Sequence, residues 1–461
     1  KFMETNEPIE EETPSYIKFC DFVNDEWLPS LLNDDCRATT YEFRTYILQT
    51  MLPYFGDVLL SDIDTPKASA YLDYLKNECK NTQGKPLSPQ TRKHHYSTLN
   101  IILPVGVSFF TFKLISYLIE IKRKKTQPAE NLLEFATYIS FFPTISSGPI
   151  DRPNTFLTQL RTNHCLVYDK AVDGCQQILW GIFTKVVVAD NLATVTSQAW
   201  NDYQNMSSSF LILAILLSPI QIYADFDGYT NMAIGVSKIL GFDVTKNFNH
   251  PLLARNVSEY WNRWHMSLTS WITDYVFTPL CLRFRDMANI GIMLAITANL
   301  VIIGLWHGAN WTYAVFGIFH SILFIPIVYS GKLGKNKKLK EGKYGLPLFK
   351  DFIKMIQTYI LVGIGQVIFF AKDTYSAFDY IKHLFTGPWH FECPIKLSII
   401  VFILLLFVLE WTSRKKEYAL QIHEKYKDRQ IWKLFVIDYI ILAIIIKFGC
   451  VEDSQFIYFQ F

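Results

Sequence analysis

Two histidines, each set beside tryptophan, are the residues in this chain best suited to chemistry. They lie in Ser258-Glu-Tyr-Trp-Asn-Arg-Trp-His265-Met-Ser-Leu-Thr-Ser-Trp271 and in Gly304-Leu-Trp-His307-Gly-Ala-Asn-Trp311, with an apolar run between them. An imidazole titrates near neutrality and can take up or give back a proton there. Ionisable side chains at membrane depth are costly to keep, so their presence points to a working site. Both histidines are therefore functional-site candidates. For His265, a polar anchor at a helix end is the competing reading. Eight cysteines are scattered with no Cys-x-x-Cys pair and no metal-ligand spacing, so free thiols are expected and a metal site is not.

The elements that must hold these histidines are membrane helices. Of 461 residues, 50% are hydrophobic, 16% aromatic and only 19% charged, which is more apolar than a soluble domain usually is. The net charge of +2 favours neither a nucleic-acid binder nor an acidic partner. Apolar runs at 101–120, 175–189, 208–224, 288–305, 311–329, 352–371, 396–411 and 431–449 predict an all-α, polytopic bundle in the cell membrane. Interruptions such as Phe183-Thr-Lys185 and Leu217-Ser-Pro219 predict re-entrant segments, because irregular backbone survives at that depth only when protein covers it. Lysine-rich connections at Lys122–Lys125, Lys332–Lys343 and Arg414–Arg429 are expected in the cytoplasm, which leaves Asp373–Pro394 and the C-terminus outside. The opening residues show no basic, apolar, small-residue leader.

Residues 1–100 read differently. An acidic tail, 1–12, precedes a small soluble helical domain of four or five helices, 13–100. Thr39-Thr40 can cap a helix running through Met51 that Pro53 ends, and Ser88-Pro89 supplies a cap followed by proline in the first turn. The order Thr40-Tyr-Glu-Phe-Arg-Thr-Tyr-Ile-Leu, Leu52-Pro-Tyr-Phe-Gly56, Tyr71-Leu-Asp-Tyr-Leu75 and Leu87-Ser-Pro-Gln-Thr91-Arg-Lys-His-His resembles the SAM-like core-binding domain of tyrosine recombinases (integrases). That resemblance implies phosphate contacts from Arg92, Lys93, His94 and His95, set against the plainer reading of a solvated basic face. The recombinase catalytic domain does not follow, so recombination is excluded. Nucleic acid is a partner only if this module is cytoplasmic.

Residues 101–461 resemble the membrane-bound O-acyltransferases (MBOAT), in the bacterial branch that serves alginate O-acetylation and D-alanylation. The resemblance rests on ordered motifs: Leu103-Pro-Val-Gly-Val-Ser-Phe-Phe-Thr-Phe112, Phe141-Phe-Pro-Thr-Ile-Ser-Ser-Gly148-Pro149-Ile-Asp-Arg152, Tyr223-Ala-Asp225-Phe-Asp-Gly228-Tyr-Thr-Asn-Met-Ala-Ile-Gly235, Asn247-Phe-Asn249, both histidine motifs and Phe456-Ile-Tyr-Phe-Gln-Phe461. It implies that His307 is the catalytic histidine and His265 the second catalytic position. It further implies substrate contacts from Arg263, Asp225, Asp227, Asn231, Trp306 and Asn310, although Arg263 also reads as a snorkelling interface residue. The family usually shows serine where Asp227 stands, and the loop after Pro279-Leu280 differs, running Cys281-Leu-Arg-Phe-Arg-Asp286. Family members carry several spans before the segment beginning at Leu103, where this sequence has the integrase-like module, so impaired transfer is expected.

The function implied is transfer of an acyl group, acetyl first, from a thioester donor to hydroxyls of an extracytoplasmic polysaccharide or cell-wall polymer. No bound cofactor is expected. The co-substrate is acetyl-CoA or an acyl carrier protein, and the partners are membrane lipid and the polymer acceptor, reached through a partner acetyltransferase in the alginate-type branch. Two other classes compete: a membrane-tethered DNA-binding protein, and a transporter-like bundle whose histidines line a polar path.

Overall fold

The computed structural model describes residues 18–29, 38–59, 63, 65–80, 86–88, 91–92, 94–95, 98, 107–308, 310–335, 339, 342, 345–390, 395–421 and 427–450. The acidic tail 1–12, Lys93 and the terminal Phe456–Phe461 motif lie outside them. The chain divides into two compact units, Lys1–Val107 with Phe459–Phe461, and Ser108–Tyr458. Among the described residues there is no strand, only two isolated bridges, so the all-α expectation holds.

The first unit is built on a helical segment at Phe19–Trp27, then α1 (Ala38–Phe55) and α2 (Thr65–Asn77). Its core gathers Phe19, Val23, Ile47, Leu48, Met51, Phe55, Tyr71 and Leu75. α1 runs past Met51 and through Pro53, further than the sequence suggested. A proline so near the end of a helix forfeits one hydrogen bond, while Tyr54 and Phe55 gain ring contacts with Tyr71. The helix closes at Gly56, whose amide donates to the Leu52 carbonyl at 2.8 Å. Ser88 does cap the next turn, its Oγ accepting from the Thr91 amide at 3.1 Å.

The second unit holds α3 (Val107–Lys122), α4 (Leu132–Ser140), α5 (Pro153–Leu160), α6 (Tyr168–Ile182), a π-helical turn (Phe183–Ala189), α7 (Asp190–Asn201) and α8 (Ser208–Ile239). After α8 come short pieces: α9 (Val257–Trp261), α10 (Met266–Ile272), a second π turn (Thr273–Phe277) and α11 (Thr278–Arg283). The remainder is α12 (Ala288–Trp306), α13 (Trp311–Tyr329), α14 (Phe349–Phe370), α15 (Thr374–Thr386), α16 (Leu397–Thr412) and α17 (Lys427–Phe448). Five helical runs, Tyr168–Asn201, Ser208–Ile239, Arg285–Trp306, Trp311–Tyr329 and Phe349–Phe370, are long and apolar enough to cross a membrane. The protein is a polytopic helical membrane protein.

α8 is the central rod, buried along most of its length. It meets α6 through two glycine pairs, where a Cβ on Gly228 would lie 2.8 Å from the Gly181 carbonyl and one on Gly235 would lie 2.5 Å from that of Gly174. Without a hydrophobic force between helices in lipid, such close backbone approach is what supplies packing energy. The interruptions noted in the sequence fall inside continuous helical runs. Lys185, in the first π turn, is neutralised by Asp190 at 2.6 Å and Asp225 at 2.5 Å. Pro219 cannot donate to the Ile215 carbonyl, and that oxygen faces Gly363 of α14, where a Cβ would sit 2.7 Å away. The broken backbone is instead concentrated in the short pieces between α8 and α12.

Candidate active site

His265 ends the turn between α9 and α10 in a left-handed conformation, φ 43°. Asn256 caps α9 by accepting from the Glu259 amide at 2.9 Å, so the turn starts from a fixed point. A side chain in that backbone region is strained and persists only when its surroundings hold it. His265 is 1% exposed, with the Phe226 ring of α8 edge-on at 4.7 Å and Phe109 of α3 stacked at 6.3 Å.

His307 follows the last residue of α12 and is only half-buried. Its ring meets Phe369 of α14 at 5.0 Å and Tyr313 of α13 at 6.2 Å. Gly304 lets α12 and α13 close on each other, since the Tyr313 carbonyl occupies the space where a Cβ would be. Asn310 caps α13 by accepting from the Thr312 amide at 3.1 Å, and its amide group donates to the Lys372 carbonyl at 3.0 Å. That bond ties the turn carrying His307 to the end of α14.

Between the histidines stands Trp306. Its ring centroid is 6.0 Å from that of His265 and 4.7 Å from that of His307, and Phe109 and Phe112 of α3 pack on it at 5.3 and 5.7 Å. One aromatic side chain therefore touches both imidazoles, with one sealed and the other open on one side.

The other candidates are each held by protein partners. Arg263 places Nη2 on Glu259 at 2.5 Å, and Arg255 holds the same carboxylate at 2.9 Å. Asp225 belongs to the ion triad with Lys185 and Asp190. The Asp227 carboxylate accepts from Asn231 at 2.8 Å, and Asn231 accepts in turn from Gln177 at 2.9 Å. Arg152 pairs with Asp274 at 2.7 Å. In the first unit His95 is 2% exposed and bonded through Nδ1 to the Tyr71 hydroxyl at 2.9 Å, which puts it in the core and not at a phosphate-facing surface. Burial, together with the charge of His94, lowers the His95 pKa to about 4. His94 is half-buried with its ring against Phe43.

Sequence reasoning missed the aromatic walls Phe226, Phe369 and Tyr313, and it missed His320, whose Nδ1 accepts from the Trp261 indole at 3.3 Å. Phe226 stood inside a quoted motif in which only the polar residues were assigned a role. Phe369 sits in a mostly apolar run with no local mark.

The fold and site define an all-helical, multi-pass membrane protein with two histidines joined through one tryptophan. The family model for MBOAT, the membrane-bound O-acyltransferase family, matches residues 127–341. The probable alginate O-acetylase AlgI of Pseudomonas aeruginosa is 34% identical over 295 residues, covering 63% of this chain and 53% of that protein. The peptidoglycan O-acetyltransferase of Helicobacter pylori is 29% identical over 321 residues, 63% of this chain and 58% of that one. The teichoic acid D-alanyltransferase of Bacillus subtilis is 31% identical over 293 residues, 60% of this chain and 71% of that one. The chain belongs to the membrane-bound O-acyltransferase family. It spans about half the length of the alginate relatives it matches.

Proposed function

We propose that this chain transfers an acyl group, acetyl by preference, from a thioester donor to a hydroxyl of an extracytoplasmic polysaccharide or cell-wall polymer. The observation that carries the reading is Trp306, which touches both histidines from the end of α12. The rings of Trp306, Tyr313 and Phe369 against His307 disfavour the imidazolium, which favours a neutral ring available as a base. The acceptor hydroxyl attacks the thioester carbonyl while His307 takes its proton. A C–O bond forms, the tetrahedral intermediate collapses, the C–S bond breaks, and the departing thiolate recovers the proton from His307. The sealed His265 steadies charge developing on the carbonyl oxygen. Coenzyme A or an acyl carrier protein fits the donor role, and a partner acetyltransferase outside the membrane fits an alginate-type relay.

The relatives named above, whose names describe acetyl or D-alanyl transfer to alginate, peptidoglycan or teichoic acid, support this class of reaction. The test is transfer of radiolabelled acetyl from acetyl-CoA or acetyl-carrier protein to polymer by membranes containing the full chain. His307→Ala should lower transfer by about 10²–10⁴-fold, the usual worth of a positioned base, with the protein still folded. His265→Ala should be impaired less completely. Near-native transfer by His307→Ala would overturn the assignment.

A further inference from the structure

The strained backbone at His265 is bracketed by a loop that follows α8. On one side the Asn249 amide donates to the Arg263 carbonyl at 3.0 Å. On the other, the Met266 amide donates to the Asn247 carbonyl at 2.7 Å, and the Ser267 hydroxyl donates to Asn247 Oδ1 at 2.6 Å. Phe248 packs its ring on Trp264 at 5.0 Å and on Phe226 at 5.0 Å, and Phe226 is the ring that faces His265. Residues 247–250 thus grip the chain immediately before and after the catalytic candidate.

That loop ends at His250, also left-handed with φ 51°. Its Nδ1 lies 2.6 Å from Glu410 Oε2 on α16, and the same oxygen accepts from the Tyr223 hydroxyl of α8 at 2.9 Å. Glu410, His250 and Tyr223 are each 5% exposed or less. Nδ1 faces the carboxyl group, and Nε2 is buried with no hydrogen-bond partner among the described residues.

We infer that Glu410 and His250 are positioning residues for His265: α16 fixes the loop through this carboxylate, and the loop fixes the imidazole. Two consecutive constraints are needed because neither left-handed histidine would hold its backbone alone. The claim rests on the acyl-transfer reading of His265 and His307. It adds that α16, through Glu410 and the loop, governs the placement of one of them.

The test uses the full chain in nanodiscs, with hydrogen exchange read by mass spectrometry and acyl transfer assayed in parallel. Glu410→Ala should speed exchange at the Asn249 and Met266 amides at least about tenfold. It should also lower kcat about tenfold while the KM for acceptor stays put. Glu410→Gln, which keeps an acceptor oxygen, should restore most of both. His250→Asn tolerates the left-handed backbone and should reproduce the alanine phenotype where Glu410→Ala does not fold. His307→Ala should lower transfer by about 10²–10⁴-fold without changing exchange. Unchanged exchange in Glu410→Ala and His250→Asn overturns the clamp. Faster exchange with unchanged kcat, or a rise spread along all of α8 and α16, overturns its role in positioning. Transfer retained by His307→Ala, or no transfer by the unaltered chain, overturns the acyl-transfer reading and the positioning claim with it, whatever the exchange data show.

Discussion

The Trp306 indole stands at 64° to the His265 imidazole with ring centroids 6.0 Å apart, so the two histidine motifs communicate through an aromatic edge. A T-shaped contact of this kind is worth roughly 0.5–1.5 kcal/mol beyond the area it buries. It also fixes how far apart a base on one histidine and an electrophile near the other can be.

Trp306→Phe should keep the wall at reduced width and lower acyl transfer several-fold. Trp306→Ala should lower it by about 10²-fold, the loss expected when reacting groups are misplaced by an ångström. Steady-state transfer assays on both variants, with folding checked by size-exclusion chromatography, decide the matter. Equal activity of the alanine variant and the unaltered chain would remove Trp306 from the site.

The glycine pairs between α6 and α8 predict a steric penalty. A methyl group on Gly228 would lie 2.8 Å from both the Gly181 carbonyl and the Thr184 hydroxyl. Gly228→Leu should therefore force the rods apart and cost several kcal/mol, as overpacking in a tight interface does. The melting temperature of the detergent-solubilised protein should fall clearly, and more than for Gly331→Leu, where nothing lies within 4 Å and the cost is that of the left-handed backbone, φ 62°, alone. Similar melting of the two variants would contradict the close approach.

Orientation follows from the lysine-rich connections. A cysteine placed at Asp373 should react with a membrane-impermeant maleimide on intact cells, whereas lysines between Lys332 and Lys343 should resist an impermeant amine reagent. Labelling of that basic connection from outside would invert the bundle and put the turn carrying His307 on the cytoplasmic side.

The first unit should weaken in mild acid. Folded His95 has its pKa lowered to about 4 by burial, whereas an unfolded histidine titrates near about 6.5. Between those values the unfolded chain binds a proton that the folded unit does not. Stability is therefore complete above about pH 6.5 and falls as pH drops toward 4, by at most about 3 kcal/mol. Circular-dichroism melts of residues 1–107 should show this slope, and His95→Gln, which can still bond Tyr71, should flatten it. An unchanged slope in that variant would assign the acid sensitivity elsewhere.

Composition and hydrophobic runs were sufficient for the all-α membrane class, because a helix in lipid must satisfy its backbone within itself and so announces its length in the residues it exposes. The ordered motifs were sufficient for the family. They did not reveal which faces meet. Asp225 and Asp227 share a short stretch of α8, yet one answers Lys185 and the other Asn231, since neighbouring positions on a helix point about 100° apart each residue and meet different partners. Arg263 read as a ligand contact or a snorkelling residue, and the sequence did not show that the carboxylate of Glu259, one turn away on its own chain, holds its guanidinium. The bond between His250 and Glu410 links positions far apart in the chain, one in a turn and the other in an otherwise apolar run, and no periodicity marks it. Such pairs depend on how the rods cross. The crossing is set by close backbone approach at glycines such as Gly181 and Gly228, and that complementarity belongs to two helices together and to neither sequence segment alone.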